Sequence, residues 1–458
     1  MDTSPGIAVD LPPGPRGWLR PTIRLIREPV VALREWGEKF GPTFTVRQLG
    51  QRIVMTSDPE LVQQIYAVRD PELFGSIVPE SLDVLIGPQS IGLLVGEQHQ
   101  RQRKLLQPAF HGDRMRGWAR RMVAAARRAF AGPDLDGAPV LERTRRATLE
   151  VIIALVFGVD EQPRVAEFEA VVLEWISAIR PGFLFVRALQ RDLLGVSPFA
   201  RYHRASRRLD ELLFEHIARM RSDPRERDDV LSSLLAARYD DGTGMSDAAI
   251  RDQLRSLLFA GHDTTAVVLA WALYFVAIAP EVRARLLAEL DPLDGEANPE
   301  VYGRLPYLGA VVDETLRIRP VTTDVIRLLR KPWQLGPWRL PEGSAVAPIA
   351  PLMHFRADLW PEPDRFVPDR FLAERPSPNI YFPFGGGARR CVGASFARLE
   401  ACVILATLLR EYEFVGPEAS VEWNRRAFIL EPIGGVPMRV RPRRAQGGGG
   451  SGTTPLRV

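Results

Sequence analysis

The stretch Phe384-Gly385-Gly386-Gly387-Ala388-Arg389-Arg390-Cys391-Val392-Gly393 decides the fold of this chain, and an apolar helical run follows it at 394–405. Three consecutive glycines permit a sharp turn and a close approach of the backbone to another surface. The turn carries a single cysteine to the start of a predicted helix. We expect the unpaired N–H groups of the first helical turn and the helix dipole to stabilise a thiolate there and to lower its pKa.

A lone thiolate beside a broad surface predicts a metal ion that is held in a planar macrocycle by Cys391. The alternative is a buried structural cysteine beside an irregular loop, which is the better interpretation when so short a motif stands alone. The other cysteine, Cys402, lies eleven residues further along the same helix. That separation is about 16 Å at 1.5 Å per residue, too far for a disulfide. We predict core packing for Cys402 and a reducing compartment for the protein.

The composition is that of an ordinary globular protein. The chain has 458 residues, 46% hydrophobic and 25% charged, with a net charge of +4. This charge gives no support for a nucleic-acid partner. The apolar run at 266–279 is shorter than the ~20 residues of a membrane span, and the N-terminus lacks the pattern of a signal peptide. We therefore expect a soluble, cytoplasmic monomer without a transmembrane anchor.

The pattern of the chain predicts a mainly α fold with small β-sheets (α+β), in one large domain at 16–445. An irregular proline-rich segment at 1–15 precedes this domain, and a flexible glycine-rich tail at 446–458 follows it. A β-hairpin is predicted from 43–47 and 52–56, and short strands near 324–330, 336–348 and 436–441. Weakly periodic segments at 70–96 and 180–198 are predicted lids or binding loops. Helices are predicted at 24–38, 58–68, 97–107, 114–131, 143–158, 163–180, 200–221, 248–278, 280–291, 305–318 and 391–411.

A second motif, Ala260-Gly261-His262-Asp263-Thr264-Thr265, lies within the long predicted helix. Alanine and glycine leave a shallow gap in the helix surface, although glycine costs about 1 kcal/mol at such a position. A local conflict of this kind often indicates function, and an acid beside an alcohol can relay protons into a small pocket. The alternative is that Thr264 bonds back to a carbonyl and that Gly261 permits close helix packing.

Two further motifs consist of charged residues at helical spacing. Glu314 and Arg317 form an i,i+3 pair, and Arg370, in a proline- and aromatic-rich meander, could join them in a buried charge cluster where each ion requires a partner. His99 and Arg103 lie four residues apart on one predicted helical face, where they could clamp carboxylates. A solvated basic face is the equally good alternative for this pair.

Together these motifs resemble those of the cytochrome P450 superfamily of haem-thiolate monooxygenases, over roughly residues 11–443. The long helix matches the pattern Ala-Gly-x-Asp-Thr-Thr, and Glu314 with Arg317 and the Pro368-Asp369-Arg370-Phe371 segment match two structural motifs. His99 stands where many members have tryptophan. The cysteine loop matches Phe-x-x-Gly-x-Arg-x-Cys-x-Gly at Phe384, Gly387, Arg389, Cys391 and Gly393.

The resemblance implies haem b as cofactor, O2 as co-substrate and Cys391 as the axial ligand of the iron, beneath the long central helix. It implies a dioxygen groove at Ala260 and Gly261, with Asp263 and Thr264 as the proton-delivering pair. The residues that it implies as ligands of the haem propionates are His99, Arg103, Arg327 and Arg389.

The resemblance also implies partners. The chain is too short for a fused flavin reductase, so electrons are expected from a ferredoxin or flavodoxin with its NAD(P)H reductase. An acidic partner could dock on basic residues predicted near the cysteine loop, namely Arg101, Lys104, Arg390 and Arg398. A lipophilic small molecule is the expected substrate. Its pocket is predicted from Leu82, Leu85, Phe183, Leu257, Val321, Ile326 and Leu430.

Three alternatives stay open from the sequence alone. A peroxide-using or isomerising enzyme could share this scaffold, although the intact Asp263-Thr264 pair argues against it. A haem-based sensor or carrier would bind ligands without turnover. A haem-free helical binding protein with one structural cysteine is the third.

Overall fold

The computed structural model describes residues 11–48, 50–76, 79–110, 115, 117–132, 137–185, 189–192, 195–223, 225, 227–293, 298–417, 419–426 and 428–443. The predicted tail at 446–458 and the first ten residues of the predicted N-terminal segment lie outside these ranges. Residues 11–15 have no regular structure, as expected.

The described part of the chain is mainly helical. Its α-helices are α1 (Leu19–Arg27), α2 (Pro29–Phe40), α3 (Pro59–Tyr66), α4 (Asp83–Ile86), α5 (Gly96–Leu106), α6 (Trp118–Ala129), α7 (Val140–Leu155), α8 (Gln162–Ala178), α9 (Pro181–Phe185), α10 (Pro198–Ser222), α11 (Val230–Ala236), α12 (Asp247–Ile278), α13 (Pro280–Leu290), α14 (Pro306–Ile318), α15 (Ala350–Met353), α16 (Arg370–Ala373) and α17 (Ala394–Glu411).

The predicted helix at 24–38 is in fact two helices, α1 and α2, and this prediction was wrong. Glu28 separates them with φ −144° and ψ 56°, outside the helical region. It precedes Pro29, whose ring disfavours the helical conformation of the preceding residue. The proline itself is well placed at the start of α2, where its missing N–H has no partner to lose.

The long helix α12 is the centre of the fold. The Ser246 hydroxyl caps its N-terminus by accepting the Ala249 N–H at 3.2 Å. All residues at 265–276 are buried. By length and composition α12 could cross a membrane, but 72% of its most apolar window is buried inside the protein. Such burial is typical of a core helix.

Helices packed on all sides of α12 form the main hydrophobic core. α7 runs along it, α17, α14 and α10 contact it, and α6 bridges α7 and α17. The indole rings of Trp118, Trp175 and Trp271 are fully buried between these layers. This arrangement packs α17, into which the cysteine loop leads, against α12, with Glu400 of α17 near Thr265 of α12.

The strands are β1 (Thr43–Gln48), β2 (Gln51–Thr56), β3 (Arg327–Leu328), β4 (Trp333–Leu335), β5 (Trp338–Leu340), β6 (Ala345–Pro348), β7 (Tyr412–Val415), β8 (Trp423–Arg426), β9 (Ile429–Pro432) and β10 (Arg439–Pro442). The predicted hairpin is confirmed as β1 and β2, with Thr43 opposite Thr56. A four-stranded sheet has the order β1-β2-β6-β3, with β6 parallel to β2. Strands β4, β7, β8 and β9 were not predicted, nor were the helices α4, α9, α11, α15 and α16.

Candidate active site

The cysteine loop is held by its own backbone. The Cys391 N–H donates to the Phe384 carbonyl at 2.9 Å, and a 3₁₀ turn at Gly387–Arg389 lies between them. Helix α17 begins at Ala394, three residues after Cys391, so the predicted helix start at 391 was wrong. The Gly393 N–H nevertheless interacts with the sulfur. The loop therefore holds Cys391 just in front of the helix.

Desolvation raises the pKa of the Cys391 thiol above its ordinary value, while the Gly393 N–H, Arg103 and Arg390 lower it by less. The expected net lowering is therefore wrong for the polypeptide alone, because burial outweighs the helix-end groups. The same side chain is solvent-accessible despite these dense surroundings, so it faces an internal space. A coordinated metal cation would deprotonate such a thiol outright.

The glycines of the loop are required by Tyr66 at the end of α3. A Cβ at Gly386 would lie 2.3 Å from the Tyr66 ring, and one at Gly387 would lie 2.6 Å from its carbonyl oxygen. Gly387 also has φ +62°, a conformation that favours glycine. The close approach predicted for these glycines is thus to a neighbouring helix.

Four basic side chains lie beside the cysteine loop without acidic partners among the described residues. His99 and Arg327 are buried, with 4% and 2% of their surfaces exposed. Arg103 donates to the Arg390 carbonyl at 2.7 Å, and Arg327 to the Gly386 carbonyl at 2.8 Å. Arg389 reaches only carbonyl oxygens, at 3.2 and 3.4 Å. We call His99, Arg103, Arg327 and Arg389 the basic cluster.

The pKa values show that the positive charges within the basic cluster repel one another. Desolvation, followed by the charges of Arg327 and Arg103, lowers the pKa of Arg389 to about 10. Desolvation, followed by Arg389 and Arg103, lowers the pKa of His99 to about 3. Buried positive charges of this kind need compensating anions. The cluster therefore suits a ligand that carries carboxylates, and the chemistry of its donors fits the two propionates of haem.

The part of the chain that the structure describes contains no metal site made of protein ligands alone. Across the described ranges, no group of three or more His, Cys, Asp or Glu side chains could hold a metal ion. A metal bound by Cys391 must therefore bring its remaining ligands with it, as the iron of a macrocycle does. Cys391, the internal space it faces and the basic cluster all fit haem.

On α12, Ala260 is exposed although the helix is otherwise largely buried. The Thr264 hydroxyl donates to the Ala260 carbonyl at 2.7 Å, the back-bonded alternative considered above. A Cβ at Gly261 would lie 3.0 Å from the Ile152 side chain of α7, so this glycine is explained by close helix packing. At this point the otherwise buried helix has an accessible surface, formed by Ala260 and by the hydrogen bond from Thr264 to its carbonyl.

Asp263 has a partner that the sequence did not predict. The Arg145 side chain of α7 donates to the Asp263 carboxylate at 2.5 Å, and its other end pairs with Glu431 of β9. Arg145 and Glu431 also line a surface cavity of about 460 Å³ between α7 and the β8–β9 hairpin. Asp263 is therefore held by Arg145, while the Thr264 hydroxyl donates to the Ala260 carbonyl. No local signal in the sequence points to Arg145, which precedes Asp263 by more than a hundred residues.

The predicted charge cluster of Glu314, Arg317 and Arg370 is formed. Arg317 binds Glu314 through two hydrogen bonds of 2.6 and 2.8 Å, with both side chains fully buried, and Arg370 lies 3.4 Å from Glu314. His354 connects this cluster to the segment that precedes the cysteine loop. Its Nδ1 is 3.2 Å from the Arg317 carbonyl, and the Phe382 N–H lies 3.3 Å from its Nε2.

The predicted substrate-pocket residues fall into two groups. Five of them are buried hydrophobic core residues: Leu82, Leu85, Phe183, Val321 and Leu430. Leu257 and Ile326 are partly exposed, and Leu257 precedes the accessible Ala260 by one helical turn.

Glu400 of α17 was also missed. Its side chain is fully buried, and desolvation raises its pKa well above the ordinary value. The Thr265 hydroxyl of α12 lies near enough to lower this pKa, without a hydrogen bond of good geometry to either oxygen. Its position in an apolar helical run was the available signal, because a charged residue there requires an explanation.

A helical core crossed by one long helix, with one accessible cysteine beside an unpaired basic cluster, defines a haem-thiolate protein. A sequence profile of the cytochrome P450 family matches residues 11–434. The Mycobacterium tuberculosis protein named "Putative cytochrome P450 135B1" is 34% identical over 444 residues, covering 95% of this chain and 93% of that protein. "Putative cytochrome P450 138" of the same organism is 33% identical, covering 88% and 90%.

Solved structures agree. The retinoic-acid-bound cyanobacterial CYP120A1 has a TM-score of 0.81 at 26% identity, covering 95% of this chain and 100% of that one. The cytochrome P450DA heme domain has the same fold, with a TM-score of 0.82 at 23% identity over 95% and 98% of the two chains. This chain belongs to the cytochrome P450 superfamily. It is a monooxygenase with haem b as cofactor and O2 as co-substrate.

Proposed function

We propose that this enzyme inserts one oxygen atom of O2 into a C–H or C=C bond of a lipophilic small molecule, with electrons from a separate redox protein. The observation that carries the proposal is the unpaired basic cluster beside an accessible Cys391. Such a site suits haem, and the accessible Ala260 is preceded by the half-buried apolar residues Leu257 and Phe259. We assign this activity to one domain at 16–445.

Bound haem supplies the activation of dioxygen, which a thiolate ligand favours by donating electron density. Cys391 provides that thiolate, and the Gly393 N–H donates to the sulfur and limits its charge. Phe384 and Gly387 shape the loop. The basic cluster holds the propionates, which neutralise it in return.

Thr264 and Asp263 handle protons in this proposal. The Thr264 hydroxyl donates a hydrogen bond to the Ala260 carbonyl. It can rotate so that its proton points toward the accessible side of α12 instead. Asp263 exchanges protons with solvent through the cavity that Arg145 and Glu431 line. Because Arg145 holds its carboxylate at 2.5 Å, this ion pair must open before Asp263 can serve Thr264.

We propose a ferredoxin or flavodoxin, with its NAD(P)H reductase, as the electron source, and a cytoplasmic monomer as the working form. Three of the four predicted docking cations already have acidic partners: Arg101 with Asp241, Lys104 with Asp240, and Arg398 with Asp313. Arg390 has none among the described residues. Docking by charge would therefore centre on Arg390.

The class of substrate rests on the apolar surroundings of Ala260 and on one relative. The cyanobacterial CYP120A1 structure contains retinoic acid, a long apolar molecule that ends in a carboxylate. A lipophilic substrate suits this chain for the same reason, because apolar walls select apolar ligands.

The first test is the carbon monoxide difference spectrum of the reduced protein. We predict the strongly red-shifted Soret band of thiolate-ligated haem in the wild type. Cys391→Ser should lose it, because a hydroxyl does not replace the thiolate. Cys402→Ala, which alters the buried cysteine of α17, is the matched control and should keep the band. A red-shifted band that survives in Cys391→Ser would refute the assignment.

The second test concerns coupling. We predict that Thr264→Ala consumes reductant with surrogate redox partners but releases mainly hydrogen peroxide, since the hydroxyl that positions protons is lost. A decrease in product per reductant of about 100-fold is expected, the lower end of what a positioned proton donor contributes. Thr264→Ser keeps the hydroxyl and should restore coupling. Equal coupling in Thr264→Ala and the wild type would remove Thr264 from the mechanism.

A peroxide-using enzyme is the second candidate, favoured by the Asp263–Arg145 ion pair that separates Asp263 from Thr264. It predicts product formation from hydrogen peroxide without any redox partner. A haem sensor or carrier would instead consume no reductant in the presence of any bound ligand. Reductant and peroxide consumption, measured side by side, distinguish these activities.

A further inference from the structure

Helix α1 presents an apolar face that no described part of the chain covers. Leu19, Ile23 and Ile26 are 57%, 41% and 55% exposed, and the preceding Trp18 is 53% exposed. At 3.6 residues per turn, the three helical residues fall within an arc of about 60°. The opposite side of α1, with Pro21, Thr22 and Leu25, packs into the protein. The exposed residues thus form one stripe rather than scattered positions.

Positive charge borders this stripe. Arg16, Arg20 and Arg27 are exposed and have no ion pair within the described ranges. Arg20 and Arg27 lie on the helical side next to the apolar arc. The negative charges of the nearby Glu28 and Glu35 are already paired, because Arg24 binds both, at 2.6 and 2.5 Å.

Large apolar side chains with a tryptophan at one end and unpaired arginines along one side are typical of helices that lie in a membrane interface. The apolar side chains enter the acyl boundary, while the guanidinium groups contact lipid phosphates. A protein partner with an acidic rim could meet the same face. An extended apolar stripe without hydrogen-bonding groups fits the interior of a bilayer better.

We propose that α1 docks this enzyme on the surface of a membrane that contains anionic lipids. The helix lies flat, with Trp18, Leu19, Ile23 and Ile26 inserted. The remainder of the protein stays outside the bilayer. Since α1 also contacts β8, whose partner strand β9 carries Leu430, docking would place the β8–β9 side of the molecule near the lipid. An apolar compound dissolved in the bilayer would then be close to the enzyme.

The test is co-sedimentation of the full-length holoenzyme with vesicles. One set contains phosphatidylcholine alone, and the other contains equal parts of phosphatidylcholine and phosphatidylglycerol. We expect binding to the anionic vesicles that weakens as salt is raised. Ile23→Ser/Ile26→Ser should weaken this binding about tenfold or more, because two apolar side chains lose their contact with the acyl chains. Arg20→Gln/Arg27→Gln should remove the preference for anionic vesicles.

The control is Ile278→Ser/Leu372→Ser, which removes two exposed apolar side chains elsewhere, 47% and 37% exposed. Its vesicle binding should equal that of the wild type. Equal binding of the control and the α1 variants, or no binding of the wild type to either vesicle, would overturn the proposal. A lipid-free dimer that the α1 variants dissociate would overturn it in favour of a second copy of the chain. These readouts are independent of turnover, so they stand apart from the proposed reaction.

Discussion

At the scale of single residues, Glu400 shows what burial does to a carboxyl group. It lies between α17 and α12 without a counter-charge, and its pKa is raised well above the ordinary 4.5. Burial therefore favours the protonated form of Glu400 in the folded protein. Above pH 4.5 the unfolded chain releases this proton, so the stability associated with Glu400 falls as pH rises toward the folded pKa.

We predict that Glu400→Gln is more stable than the wild type near neutral pH, because an uncharged amide has no ionisation to suppress. The difference should grow by up to about 1.4 kcal/mol for each pH unit above the unfolded pKa and vanish below it. Free energies of unfolding by denaturant, measured across this pH range, provide the check. A difference that does not change with pH would contradict the raised pKa.

The identity of the important residues was predictable, but their electrostatic state was not. The glycine-rich loop identified Cys391, and spacing identified Glu314 and Arg317. The pKa of Cys391 depends on burial by residues distant in sequence, so a helix-end argument gave the wrong sign. Likewise, the ion pair of Asp263 depends on Arg145, which another helix contributes.

At the scale of elements, α14 is connected to the chain before the cysteine loop by one buried charge cluster. Arg317 donates to the carbonyl groups of His354, Pro363 and Arg365 as well as to Glu314. His354 reaches the Phe382 N–H at 3.3 Å. These bonds satisfy backbone groups in the irregular segment before the cysteine loop, which forms few strand-pairing hydrogen bonds of its own.

We predict that Arg317→Ala destabilises the protein by about 3–5 kcal/mol, because the buried Glu314 loses both of its short charged hydrogen bonds and keeps only Arg370, at 3.4 Å, as a counter-charge. Arg365→Ala is the matched control. It removes an exposed ion pair with Glu362, at 67% and 62% exposure, and should cost less than about 1 kcal/mol. Denaturant unfolding measures both. Similar losses in the two variants would show that the cluster is not stabilising.

Long elements were predicted and short ones were not. α12 and the β1–β2 hairpin follow from sustained periodicity and a glycine turn. Strands β4, β7, β8 and β9 contain three or four residues each, too few for alternation to be distinguished from chance. Their pairing depends on partners that the fold brings together.

At the scale of the whole molecule, four buried histidines make folding sensitive to acid. Desolvation lowers the pKa of His99 and His354 to about 3 and that of His262 to about 4, and it also lowers that of His216. Each is held neutral in the fold, whereas the unfolded chain protonates histidine below pH 6.5. Their contribution to the free energy of unfolding is therefore complete above pH 6.5, and it is lost as pH falls toward the histidine pKa values of the folded state.

We predict a fall in thermal stability between about pH 6.5 and about pH 5, because four buried histidines outnumber the two opposing buried carboxyl groups with a raised pKa, Glu400 and Asp252. Glu400→Gln should steepen this fall, since it removes one of the opposing groups. Calorimetry of the wild type and this variant at several pH values provides the measurement. A midpoint that stays constant or rises on acidification would refute the assignment of neutral buried histidines.

The central helix has a consequence for biosynthesis. Half of α12 is apolar enough for a bilayer, yet the helix α17 that covers part of it lies more than a hundred residues further along the chain. At a synthesis rate of about 5–20 residues per second, the nascent helix waits on the order of ten seconds for this cover. During that interval the apolar segment of α12 lacks the contacts that α17 makes with it in the folded protein. The order in which helices leave the ribosome thus makes α12 the segment most in need of protection before the chain is complete.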